Sequence, residues 1–156
     1  MGKITIVGIG NRYRGDDAAG WAVIDKLIVT SKAIKLVKQQ GDIAELIDIF
    51  AKYKSVYLVD ACLSNAPVGS WQRIDLNKQT IIEDNLRTST HGFSVSQAIS
   101  LAKNLSELPT NFILYAINGD NYNIGDQLSL SVAKSVDQVV KALLNEEDIK
   151  ACMNKA

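Results

Sequence analysis

The chain has a single histidine, His91, in 156 residues, and only two cysteines, Cys62 and Cys152. One imidazole excludes HExxH metalloproteases and zinc sites built on several histidines. The cysteines lie far apart and form no CxxC or zinc pattern, which fits a reduced, cytoplasmic protein. No apolar stretch is long enough to span a bilayer. The N-terminus enters a strand at once, with no signal-peptide pattern, so none is expected. No run of Lys or Arg forms a basic stripe, and 17 basic residues balance 17 acidic ones. Nucleic acid and membrane are therefore not expected partners, and a monomer is expected. Linkers, repeats and low-complexity segments are also missing.

What is present reads as one globular domain over residues 1–156. Hydrophobic residues make up 47% of the chain and charged residues 22%, enough apolar material for a real core. Apolar runs at Ile4–Val7, Ala33–Gln39, Ser55–Val59 and Phe112–Ile117 predict strands, and Trp71–Leu76 alternates like a strand with one wetter face. Between them, helical spacing appears at Ala18–Val29, after Asp42 (which can cap it), at Phe93–Leu105, and from Ser129 or Ser131 onward. The tail after Asn145 reads as a frayed helical end. Alternating strands and helices predict an α/β three-layer sandwich: a mostly parallel twisted sheet of about five strands, helices on both faces. If the strand order is 2-1-3-4-5, the first and third strands are neighbours at the switch point, where such folds place their sites.

The loop after the first strand, Gly8 to Gly20, carries the chemistry. A dinucleotide site wants G-x-G-x-x-G, but Tyr13 stands at the third position, and Asp16 and Asp17 would repel a pyrophosphate. A receiver-like phosphoacceptor would use Asp16, Asp17 and Asp60. It also wants a lysine after the fifth strand, where this chain has Asn118-Gly119. The third reading is a metal site. Asp17, Asp60 (predicted to close the third strand) and His91 would supply two carboxylates and an imidazole to a divalent ion, leaving positions for substrate. So few ligands hold a late transition metal weakly, which suits a metal that arrives with the substrate. Each residue also has an ordinary structural role open to it. Asp16 or Asp17 can cap the first helix, Asp60 can form a turn, and Cys62 can be a small buried hydrophobe.

Val7-Gly8-Ile9-Gly10-Asn11, Gly15-Asp16-Asp17-Ala18-Ala19-Gly20, Leu58-Val59-Asp60-Ala61 and His91-Gly92 occur in order and at fitting spacing. With these motifs the chain resembles the hydrogenase maturation endopeptidases, which trim the C-terminal tail of the large subunit of nickel–iron hydrogenases. Gly41-Asp42-Ile43 and Asn118-Gly119-Asp120-Asn121-Tyr122 depart from the patterns common in that family. The resemblance implies a peptidase whose nickel is supplied by the large-subunit precursor, with Asp17, Asp60 and His91 at the positions of the family's nickel-contacting and catalytic residues. The resemblance also implies that other divalent ions substitute for nickel in it. Asp16 is expected to order the loop rather than bind metal. A binding relative without proteolytic activity is the other reading of this fold.

Overall fold

Three continuous apolar runs are too hydrophobic to face water on either side, and they form the centre of the sheet. They are β1 (Ile4–Ile9), β3 (Ser55–Leu63) and β6 (Asn111–Asn118), almost wholly buried, with β3 parallel to both others. The computed structural model describes residues 3–78, 87–88 and 92–154. β2 (Ile34–Gln39) lies parallel on the outer side of β1. β4 (Trp71–Asp75) runs antiparallel along β6 with Ile74 buried; the adjacent Gln72 and Arg73 are both exposed, so the alternation expected of this strand is broken there. A two-residue strand, β5 (Arg87–Thr88), pairs antiparallel with the end of β3.

The strand order is β2-β1-β3-β6-β4, with β5 beside β3. The last long strand thus inserts between the third and fourth. The predicted switch point between the first and third strands is present, but the 2-1-3-4-5 order is not. The sheet is otherwise the predicted mostly parallel one.

Helices cover both faces. On one side, α1 (Ala19–Lys26), α4 (Leu130–Leu144) and α5 (Glu147–Met153) bury Val23, Val132, Val136, Val139, Leu143 and Ile149 against the sheet. On the other, α2 (Ile43–Lys52) and α3 (Gly92–Asn104) contribute Leu46, Phe50, Val95, Ala98 and Ala102. Asp42 caps α2, its carboxylate accepting the Glu45 N–H at 3.0 Å. Leu105, read as part of the α3 stripe, lies past the helix end and is exposed.

The tail is not frayed. Ile149 of α5 is fully buried, and Asp148 accepts hydrogen bonds from Ser55 Oγ (2.6 Å), the Tyr57 hydroxyl and Asn111 Nδ2 at the N-terminal edge of the sheet. Among the described residues, no helix is long and apolar enough to cross a membrane.

Candidate active site

β1 ends in the predicted Gly-rich loop. Asn11 shapes it by accepting the Tyr13 N–H at 2.9 Å. The chain then makes a single 3-10 turn, Gly15–Ala18, before α1 begins. Gly15 sits at φ +55°, a left-handed conformation, and a Cβ there would collide with the Asn121 carbonyl. Gly20, in the first turn of α1, meets the sheet just as closely. Its added Cβ would lie 2.5 Å from the carbonyl oxygens of both Ile9 and Val59. That close approach lets α1 start directly over β1 and β3 and sets the aspartates of the turn above the strand ends.

Neither aspartate caps α1. The residues at the N-caps of the turn and of the helix are Arg14 and Ala18, and neither position has a side-chain cap. Asp16 is instead fully buried as an acceptor. Its Oδ2 takes the N–H groups of Asp120 (2.9 Å) and Asn121 (3.0 Å) and the Ser129 hydroxyl (2.7 Å), and its Oδ1 takes the Ser129 N–H (2.7 Å). Burial pushes this carboxyl up, but the bonds from Asn121, Asp120 and Ser129 outweigh it and hold the group below the usual carboxylate range. Ser129, the N-cap residue of α4, spends its hydroxyl on Asp16 and makes no side-chain cap of its own. Asp16 thus orders the loop, as expected. A receiver-like acidic pair would need its oxygens free, and these are taken.

Asp17, also fully buried, is held through its backbone: its carbonyl accepts the Asn11 N–H at 3.1 Å and its N–H donates to the Arg14 carbonyl at 3.0 Å. Asp60 does not close β3, and it does not form a turn. The strand runs three residues further to Leu63, with Asp60 paired in register to Ala116. Its side chain is fully buried, and neither carboxylate oxygen has a hydrogen-bond partner among the described residues. Burial, with the charge of Asp17 adding to it and the Ala61 backbone N–H only partly offsetting it, drives the Asp60 carboxyl well above the usual carboxylate range. Asp17 thus lies near enough to Asp60 for its charge to be felt there. His91 lies outside the described residues. The described residues alone assemble no cluster of three metal-ligating side chains.

Two more residues border this site: Cys62, which the sequence reading takes as a small buried hydrophobe, and Tyr122, which it does not single out. Cys62, two positions past Asp60, is buried, and its thiol is pushed up to about 12 by burial and by the Asp60 charge, as an inert small hydrophobe should be. The Tyr122 hydroxyl donates to the Cys62 carbonyl at 2.8 Å. That hydroxyl is raised by burial first and then by the nearby Cys62, Asp16, Asp60 and Asp17. The one available signal was the density of Asn, Asp and Gly in the loop from Asn118 to Gln127.

Two acidic side chains at the switch point of a β2-β1-β3 sheet are a specific arrangement, and known proteins share the fold. The hydrogenase maturating endopeptidase HybD from E. coli superposes with a TM-score of 0.79 at 18% identity, over 91% of this chain and 90% of that one. The NiFe hydrogenase maturation protease HycI from Thermococcus kodakarensis gives a TM-score of 0.74 at 23% identity, over 95% and 92%. No curated protein sequence matches. The family model described as HycI, hydrogenase maturation protease, matches residues 31–146, from the start of β2 to the end of α4. The chain that carries this buried acidic pair therefore belongs to the hydrogenase maturation proteases and is a peptidase.

Proposed function

We propose that this protease removes the C-terminal tail of a nickel-loaded large-subunit precursor of a NiFe hydrogenase, and that Asp17, Asp60 and His91 receive the nickel carried by that substrate. The observation that supports this reading is Asp60. A fully buried carboxylate with no hydrogen-bond partner among the described residues, raised further by a second carboxylate, is destabilising until a cation arrives. Oxygen donors from Asp17 and Asp60 with one imidazole suit a borderline divalent ion and leave positions for substrate groups. The same chemistry would accept other divalent ions.

In this reading the three side chains orient the precursor by its metal, which supplies Lewis-acid polarisation at the scissile amide. A carboxylate oxygen turned away from the metal accepts the proton of the attacking water, and burial suits Asp60 to that task by raising its proton affinity. The two free cysteines fit a reducing compartment, so we assign the activity to the cytoplasm, and to a monomeric single domain spanning residues 1–156.

The test presents a nickel-loaded precursor and follows its tail by mass spectrometry. Wild-type protein should shorten the precursor, whereas Asp17→Ala, Asp60→Ala and His91→Ala should leave it intact. Trimming by all three variants at the wild-type rate would remove the assignment of these residues. A wild-type protein that leaves the precursor intact would remove the substrate.

A further inference from the structure

The segment from Gly119 to Ser129 grips both pieces of chain that carry the acidic pair. At one end it holds the opening loop. The N–H groups of Asp120, Asn121 and Ser129 and the Ser129 hydroxyl all converge on Asp16, the residue before Asp17. Backbone bonds extend this grip: Asp16 N–H to the Asn121 carbonyl (2.6 Å), Gly15 N–H to the Asp126 carbonyl (3.1 Å) and Gly125 N–H to the Tyr13 carbonyl (2.7 Å). At the other end it holds β3 two residues past Asp60. There the Cys62 carbonyl accepts both the Gly119 N–H (3.0 Å) and the Tyr122 hydroxyl (2.8 Å). Gly119 sits at the junction, where an added Cβ would come within 2.7 Å of the Tyr122 hydroxyl and 2.8 Å of the Asp16 Cβ. The two grips are therefore packed against each other.

From this geometry we infer that the 119–129 segment is a clamp that sets the separation of Asp17 and Asp60, with Asp16 and Tyr122 as its two positioning residues. Two carboxylates that repel each other spread apart unless the backbone holds them, and a misplacement of about 1 Å in such a site lowers turnover about 100-fold. Strand pairing holds Asp60, whereas Asp17 lies on a 3-10 turn outside the sheet. The clamp gives that turn a fixed reference to β3. Its role in catalysis rests on the function proposed above, whereas its role in geometry does not.

The experiment uses the full chain and two variants, Tyr122→Phe and Asp16→Asn, with Ser129→Ala as a milder version of the second. Tyr122→Phe removes one hydroxyl, and amide signals in a nitrogen–proton NMR spectrum report the response. The clamp predicts that the Asp16 and Asp17 amides shift, although neither bonds to Tyr122. Shifts confined to residues around Cys62 and Tyr122 would overturn it. Precursor trimming gives the second readout. Tyr122→Phe and Ser129→Ala should lower kcat about 10-fold and Asp16→Asn about 100-fold, with KM within about 2-fold of wild type. The Tyr122→Phe, Asp16→Asn double variant should be no slower than Asp16→Asn, since the Tyr122 grip acts on the pair through the loop that Asp16→Asn has already released. Wild-type kcat in Tyr122→Phe and Ser129→Ala would overturn the clamp, as would strictly multiplicative losses. A wild-type protein that does not trim would remove the proposed substrate, and the amide shifts would still decide the clamp.

Discussion

If the Asp60 carboxylate is kept bare for function, replacing it with a neutral isostere should stabilise the protein while destroying its activity. Asp60→Asn keeps the size and removes the charge. An ionised group taken out of water without partners costs several kcal/mol, against about 1–3 kcal/mol for a neutral amide in the same place. The difference favours the variant by about 2 kcal/mol at neutral pH. For a chain of this length that corresponds to roughly 4–8 °C in Tm. The sign with pH follows from the raised carboxyl. The folded state holds the Asp60 proton more tightly than the unfolded chain, whose ordinary value is 3.8. Wild-type stability relative to the variant is therefore greatest below that value, where Asp60 is protonated in both states. It falls as pH rises from 3.8 towards the higher folded-state value, by at most about 1.4 kcal/mol per unit. Thermal melts of both proteins with a chelator present, from pH 4 to pH 8, should show a gap near zero in acid that widens in favour of Asp60→Asn. A variant less stable than wild type at pH 8, or a gap that does not change with pH, would refute the reasoning.

Two further outcomes follow from groups at and away from the site. Asp148→Ala removes the acceptor shared by Ser55, Tyr57 and Asn111 and loosens α5. It should cost about 2–4 kcal/mol, seen as a lower urea midpoint, and leave trimming per folded molecule unchanged because Asp148 lies at the opposite end of β3 from Asp60. Titration with a thiol reagent should find one fast cysteine, the half-buried Cys152, and a second, Cys62, that reacts only on unfolding, because burial pushes the Cys62 thiol up to about 12.

The central strands were legible because burial on both faces demands continuous apolar runs, and Ile4–Val7, Ser55–Val59 and Phe112–Ile117 meet that demand without help from context. That Trp71–Asp75 is the wetter strand was legible from its polar residues, although Gln72 and Arg73, on opposite faces, are both exposed and the expected alternation fails. Its direction and its place beyond β6 were not, because both are decided by which neighbour it pairs with. Asp148 shows the same limit. Read locally, the segment after Asn145 is a polar tail, and what makes α5 a docked helix is a set of partners 37 to 93 residues away. Asp60 was misplaced by a rule that is usually right. A carboxylate rarely sits inside a buried strand, so it was read as the strand's end, although Ala61, Cys62 and Leu63 continue the apolar run.

That exception is informative because the same site contains its counterexample. Asp16 and Asp60 are both fully buried aspartates of one site, and burial penalises the charge of each. Around Asp16 the fold supplies four donors, and the carboxyl is held below its usual range. Around Asp60 the Ala61 backbone N–H opposes burial only weakly, neither oxygen makes a hydrogen bond among the described residues, and the carboxyl is driven up. A chain able to satisfy one buried carboxylate so fully leaves the other bare at a standing cost in stability. Strain of that kind persists where function maintains it, and in the function proposed above the missing partner is a cation brought by the substrate.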